Sequence, residues 1–145
     1  MSANVMIVEM EIGIKAYDID AMGIVSNIVY IRWFEDLRHL FLEKHFPYNE
    51  MIATNISPIL IKTEAHYKVP LTIQDHPRGT CRIKNLGSSK WEMDFEIFSG
   101  DIIYCKGKQA GCFYNLEKQR PSLVPERLLE AYEKAKLQMH DEITQ

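Results

Sequence analysis

The sequence predicts an α+β domain in which a curved antiparallel sheet wraps one long central helix, closed by a short C-terminal helix. Three observations predict it. One helical stretch beginning near position 28 carries a wide, aromatic apolar arc. The segments before and after it alternate apolar and polar residues with a period of two. Turn residues separate the later segments at hairpin spacing. Each such strand has one apolar face, and the simplest way to bury all of these faces is against the aromatic helix.

Taken in order, the even positions from Met6 to Ala16 are apolar (Met6, Val8, Met10, Ile12, Ile14, Ala16), while Glu9, Glu11 and Lys15 fall on odd ones. That is a two-sided strand. The stretch from Tyr17 to Gly23 breaks the alternation with Asp18, Asp20 and Gly23 and reads as a loop. From about Ile28 to His45, Tyr30, Trp33, Phe34, Leu37, Leu40 and Phe41 fall within one arc at 100° per residue, opposite Arg32, Glu35, Asp36, His39 and Glu43. Pro47 stops this helix. Ile59, Ile61, Thr63, Ala65, Tyr67 and Val69 then alternate with polar residues up to Pro70. A strand with Cys81 and Ile83 leads into a turn at Leu86-Gly87-Ser88-Ser89. Trp91, Met93, Phe95 and Ile97 form the apolar face of the next strand, and Ser99-Gly100-Asp101 turns into a run from Ile102 to Tyr114. Pro125 and Glu126 open the last helix, which carries Leu128, Leu129, Tyr132 and Ala135.

Composition narrows the function classes. The chain has 145 residues, 17 Lys+Arg against 20 Asp+Glu for a net charge of −3, with 46% hydrophobic and 26% charged residues. That is the mix of an ordinary globular domain. A chain of this length buries about two-thirds of its unfolded surface, enough for one core, so residues 1–145 are expected to form a single domain. No apolar run reaches the ~18 residues that span a bilayer, so no membrane association is expected. Glu9 and Glu11 interrupt the N-terminal hydrophobicity, against a signal peptide. Mild acidity without a basic run argues against a nucleic-acid partner. Cys81, Cys105 and Cys112 make an odd set without CxxC spacing, which predicts reduced, strand-borne thiols in a cytoplasmic protein. His39 and His45 lie six apart, which is not ligand spacing on one helix face, so no metal is expected. The chain also lacks GxSxG, HExxH and phosphate-loop motifs.

The segment from Asp18 to Val25 is the chemically distinctive one, because it sets two carboxylates in a loop immediately before a helix. Pattern alone leaves two readings. An Asp in this position serves as a cap or an Asx turn. Alternatively, free N–H groups and the positive dipole end of the helix hold an oxyanion while a nearby carboxylate attacks or activates water. Gly23 would let the backbone approach a ligand closely.

The run from Tyr17 to Val25, followed by Tyr30-Ile31-Arg32-Trp33-Phe34-Glu35-Asp36-Leu37-Arg38, resembles the signature of the 4-hydroxybenzoyl-CoA thioesterase-like branch of hotdog-fold acyl-CoA thioesterases. The likeness continues through Pro70, Asp75, the Leu86–Ser89 turn and the Arg120–Pro125 segment, nearly the whole chain. The resemblance implies a hotdog fold and a thioester hydrolase acting on an acyl-CoA substrate, with no cofactor beyond the coenzyme A that the substrate itself carries.

The same resemblance implies the site residues. Asp20 would be the catalytic carboxylate, with Asp18 shaping the loop. The backbone N–H at Asn27 would polarise the thioester carbonyl, and Gly23, Val25 and Tyr30 would bind substrate. Lys84, Ser89 and Lys90 would meet the CoA nucleotide near the Leu86–Ser89 turn. Relatives assemble as a dimer or a dimer of dimers with the active site at a subunit interface. Asn27 stands where many relatives carry His, Val29 where they carry Asn, and Ser88 where they often carry Arg. Polyketide-releasing hotdog thioesterases share the helix, some with an important Arg at the position of Arg38. They make acyl carrier protein the alternative thioester carrier. In this chain Glu35 and Arg38, one turn apart, are expected to form a structural ion pair. A third reading, a non-catalytic acyl-CoA-binding hotdog protein, draws on Val29, and the intact Asp20 and Gly23 speak against it.

Overall fold

The computed structural model describes residues 6–144, with side chains through residue 138. Residues 1–5 and 145 of the expected domain lie outside the described residues. The elements run β1 (Ile7–Glu11), α1 (Asn27–His45), α2 (Tyr48–Thr54), β2 (Ile56–Tyr67), β3 (Arg78–Leu86), β4 (Lys90–Ser99), β5 (Ile102–Asn115), β6 (Arg120–Ser122) and α3 (Glu126–Thr144), with a 3-10 turn at Ala16–Asp18. The strands form one antiparallel sheet in the order β1-β3-β4-β5-β2, and β6 adds to β5. The sheet curls round α1, as the hotdog expectation requires.

The helix is where its 3.6-residue period predicted it. Val29, Tyr30, Trp33, Phe34, Leu37 and Phe41 are buried at successive three- and four-residue steps. They meet the inner face of the sheet, where Trp91, Met93, Phe95 and Ile97 are all buried, as their alternation predicted. Phe34 is fully buried and packs against Phe95 with ring centroids 4.8 Å apart. The fit depends on Gly107 of β5, because a Cβ there would lie 2.4 Å from the Phe34 ring. Burying one such ring stabilises the fold by about 2–3 kcal/mol.

Three elements differ from their predicted extent. β1 ends at Glu11 rather than continuing to Ala16, because its partner β3 begins at Arg78, immediately after Pro77. Pro77 has no N–H to extend the ladder and only accepts a final bond from the Ile12 amide. In β2 the register shifts between Leu60 and Lys62. The bulge breaks the alternation predicted there, so Ile59 and Ile61 are exposed while Thr63 and Ala65 are half-buried. The C-terminal helix starts after Pro125 as predicted. It is anchored by buried Leu128 and Tyr132 with Ala131 and Ala135 partly covered, and the helix is longer than expected, continuing to Thr144.

Two elements went unpredicted. α2 buries none of its residues and leaves Tyr48 and Ile52 exposed, so it has no apolar period to read. β6 is three residues long and rests on its pairing with Phe113, Tyr114 and Asn115.

Candidate active site

The loop between β1 and α1 is held by its own backbone. Ile19 and Val25 pair as an isolated antiparallel bridge, and the Asp20 amide donates to the Ile24 carbonyl at 2.8 Å. The Gly23 amide returns to the Asp20 carbonyl at 3.0 Å, and Gly23 takes φ +82°, a backbone region that L side chains rarely adopt. Two further bonds fix the loop to its surroundings: the Val25 amide to the Leu71 carbonyl and the Ser26 amide to the Asp18 carbonyl, each 2.9 Å. Asp20 therefore sits within a small closed turn that ends at Val25, two residues before the first residue of α1.

The two carboxylates have different jobs. Asp18 is buried, and its Oδ2 accepts the Lys15 amide at 2.9 Å, so it shapes the loop. Asp20 is exposed. Its Oδ1 accepts the Met22 amide at 2.8 Å and the Ile24 amide at 3.4 Å, while its Oδ2 makes no hydrogen bond among the described residues. Asp20 is thus an Asx turn and an open carboxylate at once, and the two readings left open by the sequence are compatible.

The helix start is open as well. Ser26 occupies the N-cap with extended backbone (φ −64°, ψ 141°), but its hydroxyl makes no capping bond. The Val29 amide is taken by the Ser26 carbonyl at 3.0 Å, which leaves the amides of Asn27 and Ile28 as the donors at the helix end. Asn27 and Ile28 are both exposed. Beneath them Val25 and Tyr30 are buried, so within one chain they support the loop from below. Burial pushes the Tyr30 phenol up to about 12, which keeps it neutral.

Tyr67, which sequence reasoning did not single out as a site residue, reaches this corner from the end of β2. Its hydroxyl donates to the Asn27 carbonyl at 3.1 Å, and its ring stands edge-on to Tyr30 with centroids 5.2 Å apart. No local pattern signals this, since the two partners are 40 residues apart in the chain.

The residues expected to meet CoA lie elsewhere in the same chain. Ser89 and Lys90 line a solvent-facing groove of about 390 Å³ at the β3–β4 turn. That turn is at the far end of β3 from Pro77, roughly 26 Å of strand away. Lys84 lines a larger groove of about 670 Å³ on the outer face of the sheet, with Lys68, Arg82, Lys106 and Lys108. Asp94 and Glu96 also face this groove, and the pairs Arg82–Asp94 (3.5 Å) and Lys106–Glu96 (3.9 Å) offset part of its positive charge. An acyl group held between helix and sheet would need a cavity there. Within this chain the cavity there, between Arg38, Phe41 and Trp91, is only about 20 Å³, room for roughly one water.

Glu35 and Arg38 pair at 2.6 Å, as expected, and join a larger cluster. Arg38 also donates to Gln109 Oε1, and the Gln109 amide donates to Glu35 at 3.1 Å and to Thr63 at 3.3 Å. Gln109 is only 1% exposed, so this cluster ties α1 to β5 and β2. The cysteines are poor nucleophile candidates: burial pushes the Cys105 thiol up to about 11 and the Cys81 thiol higher still. Among the described residues no three His, Cys, Asp or Glu side chains gather as a metal set, and no helix is long and apolar enough to cross a membrane.

Comparison with known proteins bears on the family and the fold. A curated protein of Aquifex aeolicus (strain VF5) named "Putative esterase" is 28% identical over 118 residues, 81% of this chain and 91% of that one. The solved hypothetical protein AQ1494 from Aquifex aeolicus is 26% identical with a TM-score of 0.73, covering 88% of this chain and 98% of that one. Two more distant structures share the fold. The hypothetical protein SAV2348 from Staphylococcus aureus, solved in complex with CoA, has a TM-score of 0.82 at 15% identity over 89% of this chain and 85% of that one. BH1999 gentisyl-coenzyme A thioesterase has a TM-score of 0.76 at 22% identity over 86% and 99%. The family model described as the thioesterase-like superfamily matches residues 14–132, and the chain belongs to that superfamily.

Proposed function

We propose that this chain hydrolyses acyl- or aroyl-CoA thioesters, as a member of the 4-hydroxybenzoyl-CoA thioesterase-like branch. One observation carries the proposal: an exposed carboxylate oxygen, Asp20 Oδ2, stands in a closed turn that leads directly into a helix start whose Asn27 and Ile28 amides no side chain caps. Either role uses Asp20 in its carboxylate form. As general base, Asp20 takes a proton from water as the water oxygen adds to the thioester carbon. The helix-start amides hold the resulting oxyanion, and collapse of the tetrahedral adduct expels the CoA thiolate, which the Asp20 proton neutralises. As nucleophile, Asp20 itself adds to the carbon, expels the thiolate and leaves a mixed anhydride that water opens. No cofactor takes part in either route.

The packed interior moves the acyl group to an interface between subunits. Among the described residues of one chain the outer edge of β2 is unpaired, and it exposes Ile59, Leu60, Ile61 and Tyr67. A twofold axis pairing two such edges would run them antiparallel. That would bring the partner's β3–β4 turn, with its Ser89 and Lys90, to the end of the sheet where this chain's Asp20 lies. Exposed Gly23 would then face the acyl end, with buried Val25 and Tyr30 behind it holding the loop and not lining the pocket as expected, and Lys84, Ser89 and Lys90 would bound the nucleotide end. The similar protein solved with CoA and the gentisyl-coenzyme A thioesterase support a CoA thioester as substrate. Three unpaired cysteines support a reducing, cytoplasmic setting.

The test is thiol release from short, long and aromatic acyl-CoAs, with matched thioesters on acyl carrier protein run in parallel. Turnover of the CoA series is the expected result. Turnover confined to the carrier-protein series would reassign the carrier, and tight acyl-CoA binding without turnover would make this a binding protein.

A further inference from the structure

We propose that Tyr67 is a positioning residue of the thioester site, holding and polarising the amide that faces the substrate oxygen; the inference rests on the function proposed above. The Tyr67 hydroxyl donates to the Asn27 carbonyl at 3.1 Å. That carbonyl and the Ile28 N–H belong to one peptide unit. A hydrogen bond to the oxygen draws electron density away from the nitrogen, so the Ile28 N–H becomes a stronger donor, as in any chain of hydrogen bonds. Of the amides around the helix start, Val25, Ser26 and Val29 are already bonded to Leu71, Asp18 and Ser26. The Ile28 amide is therefore one of the two left for an oxyanion, and the Tyr67 hydroxyl bonds the far end of its own peptide unit.

Tyr67 is well held for this purpose. Its ring stands edge-on to Tyr30, which in turn stands edge-on to Trp33, each at 5.2 Å between centroids, so the aromatic face of α1 fixes where the hydroxyl points. Burial, and secondarily Cys105, hold the Tyr67 phenol above its usual value, so it remains a protonated donor at neutral pH. The link also joins the end of the edge strand β2 to the helix start, so the oxyanion donors are tied to the sheet as well as to their own loop.

The test is Tyr67→Phe, which keeps the ring and removes only the hydroxyl. One neutral hydrogen bond acting in the transition state predicts a fall in kcat of about five- to tenfold, with KM changed less than twofold. The thermal midpoint should stay close to wild type. Independently of turnover, the Ile28 amide proton should move upfield in a ¹H–¹⁵N spectrum as its polarisation is lost. Wild-type kcat in the variant, or a rise in KM that accounts for the whole loss, would overturn the proposal. If the wild-type protein hydrolyses no thioester, the functional reading fails by itself. The Ile28 shift then decides the positioning role, and an unmoved shift overturns it.

Discussion

Asp20 accepts the Met22 amide through Oδ1 at 2.8 Å, which turns that oxygen into the loop and leaves Oδ2 as the free one. An asparagine can keep the loop bond through its side-chain oxygen but replaces the open carboxylate oxygen with a neutral NH₂ group. Asp20→Asn therefore separates the structural role from the chemical one. We expect its stability to match wild type while kcat falls at least ~10²-fold, with a smaller change in KM. Steady-state thiol release alongside a thermal melt checks both halves, and near-normal turnover in the variant would remove Asp20 from the mechanism.

Gly107→Ala tests the packing that seats the central helix. The new methyl would sit 2.4 Å from two carbons of the Phe34 ring, and that ring is fully buried between helix and sheet. Overpacking of this kind costs about 2–3 kcal/mol, read as a lower urea midpoint. Adding Phe34→Leu should recover part of the loss, because the collision is with the ring itself. A double variant no more stable than the sum of the two single changes would place the clash elsewhere.

His45 should make the fold acid-sensitive. Its Nε2 is buried without a hydrogen-bond partner among the described residues, its ring packs on Phe41, and burial, Lys44 and Arg127 all lower its pKa from 6.5. The folded state thus takes up this proton less readily than the unfolded chain. This contribution to stability is intact above about pH 6.5 and is lost as the pH falls below it towards the folded-state value. His45→Phe retains the ring packing and should flatten the dependence in that window, measured as urea midpoints at several pH values.

Gln109→Leu should destabilise the protein by about 1–3 kcal/mol, since Arg38, Glu35 and Thr63 each lose a bond to the one nearly inaccessible member of their cluster. Denaturant unfolding reads the loss. A change below ~0.5 kcal/mol would mean that Glu35 and Arg38 satisfy each other and the surrounding water without it.

What could be read before the structure follows from periodicity. Local steric rules alone decide which residues share a face, so Trp91, Met93, Phe95 and Ile97 were assignable to the core, and α1 could be placed to within a residue of its start. The same patterns drew attention to Asp18, Asp20 and Gly23 as a loop before a helix. They could not place Gln109 in the core, because it takes an inward-facing position of β5 with a polar side chain, satisfied there by Arg38 and Glu35 of α1 and Thr63 of β2. Nor could they reveal α2, which buries nothing, or the end of β1, which is set by Pro77 on a different strand.

The sequence by itself therefore determined the layering of this protein and the loop that carries its two carboxylates, since both depend on residues close together in the chain. Only the tertiary structure decided which of the two carboxylates faces outward. It seals Asp18 beneath the Lys15 amide and leaves Asp20 open. Only the tertiary structure brought the Tyr67 hydroxyl to the Asn27 carbonyl and filled the interior with Phe34, Phe95 and Phe113. These outcomes belong to contacts between distant segments, whose geometry is fixed when the helix and sheet close on one another and the core packs to its final density.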